Sequence, residues 1–409
     1  MKILHVTQGY FPSIGGTEWM FQRISEELVN QFGDDVTVFA TNCYNGEGFF
    51  NPKARRFPVG ESVINGVKVR RFPVSSRISR FFWKPQRIAY LCHLPANQYL
   101  RAWAQGPLIP GLKKAIREFN ADLIGASSFP LMHMFVSLQA ARETERPCIF
   151  MGALHPDDDW GFARKMIYKA IQRCTEYIAY TDYEAEYIIR KGADPNRVHV
   201  IGLGVDPEPY QSHTQEEARK HFELGEGPVV GYVGQVAGHK LELLLYAMPL
   251  VWEQIPEAIL LIAGSKTAYH DKFIEIISDW PEAYRNHLKL IYNFEENEKP
   301  WLFSAMDVFA YPSAWESFGI VFLEAWAAKK PVVSCFRGAI SCVVDAGRDG
   351  LLVRFGDEEM LAEAIMILLK NPDLARAYGQ TGQNKVMQDY TWSKVAQRYR
   401  KVYEIGLHR

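Results

Sequence analysis

The chain contains no C-x-x-C pair. Its six cysteines, at positions 43, 92, 148, 174, 335 and 342, are spaced for neither a zinc site nor a disulfide framework, so a reducing, cytoplasmic compartment is expected. No run of about eighteen apolar residues is present, and the apolar part of the N-terminal MKILHVTQGYFP is too short for a signal peptide. Any membrane contact is therefore expected to be peripheral, at the inner face of the membrane. Excess charge of either sign is missing as well: 46 Lys and Arg against 47 Asp and Glu leave −1. That balance argues against bulk binding to nucleic acid. The G-x-G-x-x-G dinucleotide fingerprint, short repeats and low-complexity tracts are also absent. What is there is 48% hydrophobic and 23% charged residues over 409 positions, the composition of a globular protein. At roughly 150 residues per domain, this length suggests two or three domains.

The charge is unevenly spread. Between Lys53 and Arg87 ten basic residues stand against one acid, Glu61, so this stretch carries +9 and the remainder about −10. Within it, Arg77-Ile78-Ser79-Arg80-Phe81-Phe82-Trp83-Lys84-Pro85 mixes bases with three consecutive aromatics. Residues 77–87 allow two readings: a solvated basic loop whose aromatics fold into the core, or an interfacial segment touching an anionic membrane.

Apolar runs of four to six residues alternate with helix-length periodic segments from end to end, as parallel α/β layers require. Strands are expected at 2–7, 35–41, 67–72, 121–125, 147–151, 176–180 and 197–201. A second series follows at 229–233, 258–263, 288–292, 307–311, 331–334 and 350–353. The polar stretch 207–228 between the series has linker composition, which gives two Rossmann-like domains, 1–205 and 206–390. Open α/β sheets place ligands at the carboxyl ends of their strands, so two such sheets are expected to face each other across a cleft that holds the ligand.

The motifs fall just after strands. Gly15-Gly16-Thr17-Glu18 opens an amphipathic helix, and paired glycines at a helix N-terminus allow close approach of an anion; a plain turn is the simpler alternative. Gly234-Gln235-Val236-Ala237-Gly238-His239-Lys240 precedes another helix, with a lysine able to reach a diphosphate. In Tyr311-Pro312-Ser313-Ala314-Trp315-Glu316-Ser317-Phe318-Gly319-Ile320-Val321-Phe322-Leu323-Glu324, a strand runs through a tight loop into an apolar helix. With a helix starting near Phe318, Glu316 and Glu324 stand up to roughly 12 Å apart at 1.5 Å per residue. That exceeds the roughly 5 to 9 Å of a glycosidase pair, and suits carboxylates holding two ends of an elongated ligand. The amides of Gly319 and Ile320 between them could take phosphates.

These residues resemble the family-4 retaining glycosyltransferases of GT-B fold. The resemblance spans nearly the whole chain: GGTE at 15–18, His155, GLGVD at 202–206, Lys240, the E-(x)7-E pair, AKKPVVS at 328–334 and DGLLV at 349–353. It implies that Glu316 contacts the transferred sugar, Glu324 the ribose and Lys240 the diphosphate. The glycine loop at Gly15 and Gly16 would close on the donor, and His155 would lie beside the sugar and donor phosphate; a structural histidine is the competing reading. It also implies that a final helix, 391–409, packs back onto the first domain. Three positions depart from the family pattern: Gln235 stands where G-R-x-x-x-x-K has arginine, Leu241 where a glycine commonly follows that lysine, and Cys342 where G-G-x-x-E has glutamate. His239 or Arg337 could supply the missing cation.

The implied reaction is transfer of a hexose from a nucleotide sugar, UDP-linked by preference, to a hydroxyl of a sugar, glycan or lipid acceptor. No resident cofactor is expected. The Asp157-Asp158-Asp159 cluster has the look of a D-x-D metal site, but Lys240 and helix N-termini can serve the diphosphate without a metal. A nucleotide-sugar epimerase of the same fold and a non-catalytic nucleotide-sugar-binding subunit are the alternatives.

Overall fold

Short Val/Ile/Leu runs covered on both faces become parallel strands. The first series forms β1 (Lys2–Val6), β2 (Asp35–Thr41), β3 (Gly60–Ile64), β4 (Val67–Phe72), β5 (Leu123–Ser127), β6 (Cys148–Met151), β7 (Glu176–Ala179) and β8 (Val198–Val200). Their order in the sheet is β3-β4-β2-β1-β5-β6-β7-β8. The computed structural model describes residues 1–13, 15–95 and 97–409. They divide into one unit of 1–203 with 392–409 and a second of 204–391. Val205 falls in the second unit because its N–H donates to Tyr390 O and it bridges to Thr391; the division by sequence alone placed it in the first.

The first sheet is filled from its middle, where Ile3, Leu4, Val6, Ile124, Phe150 and Ile178 are completely buried. Its order reverses between β1 and β5, and the loops that follow those strands lie at that switch point. β3, antiparallel to β4, is absent from the strands expected above. Its signal was Asn65-Gly66, whose φ angles of 47° and 84° make the two-residue turn into β4.

Residues 77–87 are not a loop but part of a helix, Ser76–Leu91, which buries only Ser76, Ser79 and Ala89. Phe81 and Trp83 are 71% and 48% exposed, so the aromatics do not fold into the core. The helix Trp392–Leu407 packs on the helix Gly16–Phe32. His5 of β1 joins the two, with Nδ1 2.8 Å from Ser25 Oγ and Nε2 2.9 Å from Tyr403 OH. Burial pushes the imidazole down to about 3, so it stays neutral. Asp34, 3% exposed, is bonded by both the N-terminal ammonium and Arg400.

The second unit contains β9 (Val229–Val233), β10 (Ile259–Gly264), β11 (Leu288–Tyr292), β12 (Val308–Ala310), β13 (Val332–Cys335) and β14 (Gly350–Val353). They are all parallel, in the order β11-β10-β9-β12-β13-β14. This is the Rossmann order, with its switch point between β9 and β12.

Candidate functional site

At that switch point the loops after β9 and β12 are tied together. Ala314 N donates to His239 O at 2.7 Å, and the His239 and Trp315 rings stack at 5.1 Å. Helix Gly238–Gln254 starts at once, which places Lys240 in its first turn. Lys240 Nζ donates to Glu316 Oε1 at 2.7 Å and to Tyr311 OH at 3.0 Å. Tyr311 OH and Ser313 Oγ donate to the same Oε1, at 3.1 and 3.0 Å. The lysine and glutamate expected to hold different parts of one ligand thus form a single ion pair, with side chains 19% and 13% exposed. Two of the three lysine donors are committed. Glu316 Oε2 accepts no hydrogen bond among the described residues.

The helix bearing the second glutamate is Ile320–Ala327, with Gly319 as its N-cap, so it begins two residues later than the start near Phe318 that the sequence suggested. Gly319 has φ 90°, and a Cβ there would lie 2.5 Å from Phe322, so only glycine fits this turn. No side chain caps this end, which leaves its first amides open to a ligand. The Phe318 side chain belongs to the core: it is 1% exposed and packs against Tyr390. Only its backbone is available to a donor.

Glu324 is 3% exposed, and burial raises its carboxyl above the usual range while Lys299 opposes that shift. Lys299 Nζ donates to Glu324 Oε1 at 3.0 Å and also pairs with Glu296 at 2.6 Å. Burial works against the ammonium, but the two carboxylates outweigh it and raise Lys299. Sequence reasoning missed Lys299; its only signal was a Lys-Pro helix start within an acidic run, Glu295 to Glu298.

The Gln235 side chain is exposed, and the residue's backbone carbonyl accepts from Tyr232 OH at 2.6 Å. Arg337, in the loop after β13, lies over the Phe355 ring at 5.1 Å. A cavity of 680 Å³ lined by Arg219, Asp307 and Lys330 sits at the amino ends of β9, β12 and β13, the end where such sheets do not place their ligands.

In the first unit, Gly15 is the N-cap of helix Gly16–Phe32. A Cβ on Gly15 would lie 2.3 Å from Glu18 Oε2, whereas one on Gly16 meets nothing within 4 Å. A side chain at position 15 would therefore have to displace the Glu18 carboxylate, whereas position 16 has open space. Glu18, raised by burial, accepts from Gln8 at 3.1 Å and so links its helix to the loop after β1.

His155 lies in the loop after β6, its ring 5.4 Å from Phe162. Ala153 in this loop has φ 85°, a conformation a non-glycine residue holds only when its surroundings impose it. Glu184 imposes it, accepting from Leu154 N at 3.1 Å, Tyr180 N at 2.8 Å and Tyr177 OH at 2.7 Å. Burial pushes Glu184 up to about 7. This residue was also missed, because Thr181-x-x-Glu184 has the spacing of a capping box and its carboxyl reads as a cap.

The aspartates of the neighbouring cluster have local partners. Asp157 accepts from Tyr183 OH and Asp158 from Gly161 N, both at 2.8 Å. Among the described residues no group of three His, Cys, Asp or Glu is arranged to hold a metal.

Residues 14–209 match the family profile described as Glycosyltransferase Family 4, and residues 213–385 that of Glycosyl transferases group 1. The alpha-maltose-1-phosphate synthase of Mycolicibacterium smegmatis is 29% identical over 51% of this chain and 57% of its own length. The D-inositol 3-phosphate glycosyltransferase of Corynebacterium efficiens is 26% identical over 67% of this chain and 65% of its own. The chain thus spans less than two thirds of the length of these curated relatives. Anabaena Alr3699/HepE, solved in complex with UDP and glucose, superimposes with a TM-score of 0.74 at 19% identity over 99% of both chains. The sucrose-phosphate synthase of Thermosynechococcus elongatus does so with 0.74 at 18%, over 99% of this chain and 98% of that one. With the two profiles accounting for nearly all of its length and its fold matched end to end, the chain belongs to the family-4 glycosyltransferases, glycosyl transferases group 1, of GT-B fold.

Proposed function

We propose that the chain is a retaining, metal-independent hexosyltransferase that takes its sugar from a UDP-linked donor and passes it to a hydroxyl of a sugar, glycan or lipid acceptor. The observation that carries this reading is the Lys240–Glu316–Tyr311 network at the β9/β12 switch point. A diphosphate there meets the remaining Lys240 donor and the open amides that follow Gly319, fixed dipoles that stabilise the departing phosphate. Glu316 Oε1 already accepts three hydrogen bonds, which make it a poor nucleophile. Its role is to orient the sugar through Oε2, while the leaving diphosphate takes the acceptor proton. Glu324, on the helix that follows Gly319 and paired with Lys299 from another helix, takes the ribose. The solved relative with UDP and glucose supports the donor class.

The test is calorimetry with UDP and turnover of UDP-glucose. Glu324→Gln is expected to weaken UDP binding roughly 10- to 100-fold, the loss of about 1.5–3 kcal/mol for a hydrogen bond to a charged group. Glu316→Gln should leave UDP bound at least as tightly and lower turnover, and activity should survive EDTA. Equal loss of UDP affinity in both variants refutes the separate roles.

We further infer that the chain sits at the cytoplasmic face of an anionic membrane through residues 77–87. No helix is long and apolar enough to cross a bilayer among the described residues. On helix Ser76–Leu91, exposed Arg77, Arg80, Lys84 and Arg87 alternate with exposed Phe81, Trp83, Ile88 and Leu91, a composition that suits a headgroup boundary.

A further inference from the structure

Two arginines of the first unit are buried with more donors than acceptors. Arg101, on helix Asn97–Gln105, and Arg164, just before helix Lys165–Ile171, are 3% and 1% exposed. Arg101 Nη1 donates to Asn97 Oδ1 and Arg164 Nη2 to Trp160 O, each at 3.3 Å, long for bonds from a charged donor. Nε and Nη2 of Arg101 and Nε and Nη1 of Arg164 have no acceptor among the described residues. Buried polar groups are rarely left so, and each normally has a partner.

The two guanidinium groups also share a platform. Their Cζ atoms lie 5.1 and 5.7 Å from the centroid of Trp160, and Arg101 lies over Tyr90 as well, at 4.7 Å. Burial first, and then the positive charge of Arg101, pull Arg164 down to about 9. Asp158 offsets both charges in part, but one of its oxygens is held by Gly161 N. Trp160 is 41% exposed, so the pair lies one ring below solvent. Arg164 also lies nine residues after His155, on the same stretch of chain.

We propose that Arg101 and Arg164 form a phosphate-binding site and that the acceptor of this enzyme carries its phosphate there; this rests on the glycosyltransferase reading above. Two planar forks with four uncommitted nitrogens suit a phosphoryl group, which offers up to three terminal oxygens and as many as two charges. A carboxylate offers two oxygens and one charge, and would leave donors unmatched. The phosphate comes from a soluble phosphoester or from a lipid headgroup, and the chemistry recognised is the same.

The test uses the full chain, with inorganic phosphate and glycerol 3-phosphate as soluble probes and phosphatidylglycerol vesicles as the lipid probe. Phosphate should change the fluorescence of the wild-type chain, and Trp160→Phe should remove that change. Arg101→Gln and Arg164→Gln should weaken phosphate binding at least tenfold and leave UDP affinity intact, since Lys240, Glu316 and Glu324 belong to the other unit. Arg164→Lys keeps the charge without the fork and should fall between. Glycerol 3-phosphate binding more tightly than inorganic phosphate supports the site with a soluble acceptor; arginine-dependent binding to vesicles, with glycerol 3-phosphate no tighter than phosphate, supports it with a lipid acceptor. No phosphate response in the wild-type chain overturns the proposal even if the glutamine variants fail to fold, and so does an unchanged affinity in folded variants. UDP binding without a phosphate response leaves the glycosyltransferase reading standing, whereas a phosphate response without UDP binding removes that reading and keeps the site.

Discussion

Replacing Lys299 by methionine should turn Glu324 from a held anion into a liability. The carboxylate is 3% exposed and its Oε1 lies 3.0 Å from Lys299 Nζ. Removing one partner of a buried pair costs about 3–5 kcal/mol, because the remaining charge loses its partner without regaining water. Glu296, which also pairs with Lys299, then acts on Glu324 as a bare like charge and drives its carboxyl, already raised, further up. The cost of Lys299→Met should therefore be larger at pH 8 than at pH 6, because lowering the pH favours the neutral carboxyl. Glu324→Gln in the Lys299→Met background removes the stranded charge, so the double variant should be more stable than the sum of the single effects predicts. A coupling of at least about 1.5 kcal/mol is expected for residues in direct contact. Urea unfolding of the four proteins at both pH values measures it, and UDP calorimetry at pH 6 should find Lys299→Met weakened along with Glu324→Gln. Additive single effects, within about 0.5 kcal/mol, would refute the reasoning that Lys299 keeps Glu324 ionised.

Replacing Arg77, Arg80 and Lys84 together by serine should weaken binding to anionic vesicles by roughly 1 kcal/mol per charge; unchanged flotation sinks the membrane reading. Gln235→Arg places a guanidinium where the side chain is exposed and should tighten UDP binding about tenfold, the difference between a neutral and a charge-assisted hydrogen bond; calorimetry showing no gain would mean this loop does not meet the diphosphate. Two of the groups that make stability depend on pH oppose each other. His5, held down at about 3, contributes stability that is complete above its ordinary 6.5 and drains by about 1.4 kcal/mol per pH unit as the pH falls toward 3. Glu184, held up at about 7, keeps a proton the unfolded chain has lost, so its contribution falls as pH rises from 4.5 to 7. Glu184→Gln should therefore make stability climb more steeply between pH 5 and 7 in urea titrations, and an unaltered slope would exclude this role.

The strands were legible because burial on both faces leaves continuous apolar runs, as in β9, where Val229, Val230, Tyr232 and Val233 are all within 1% of full burial. β3 was not, because it is an exposed edge strand: Val63 is 70% exposed, and no apolar run marks it. Helix Ser76–Leu91 escaped for a related reason. Its apolar positions, Ile78, Phe81, Ile88 and Leu91, recur at helical spacing but lie exposed and are interrupted by Pro85, so its bases and aromatics look like a surface loop. At the site, the residue types after the strands were legible and their partners were not. Nothing in the spacing of Lys240 and Glu316, 76 positions apart, says that they meet. The switch point between β9 and β12 brings them together, and sheet order is a property of the whole fold.

That meeting also explains why the two glutamates should behave differently toward UDP. Lys240 begins neutralised by Glu316, so a diphosphate must share the lysine with a carboxylate that already holds it at 2.7 Å. Glu316→Gln removes that competitor and leaves Tyr311 OH, at 3.0 Å, to keep the ammonium in place. The nucleotide alone therefore loses nothing from this change, while the sugar loses the oxygen that orients it. Glu324 has no such competition with the ligand, since Lys299 keeps it charged from a different helix, Lys299–Ala305. Its loss falls on the nucleotide directly. On the proposed function, one helix and the loop that precedes it carry two carboxylates whose separate ion pairs divide the work: Glu316 would orient the sugar and Glu324 would hold the nucleotide.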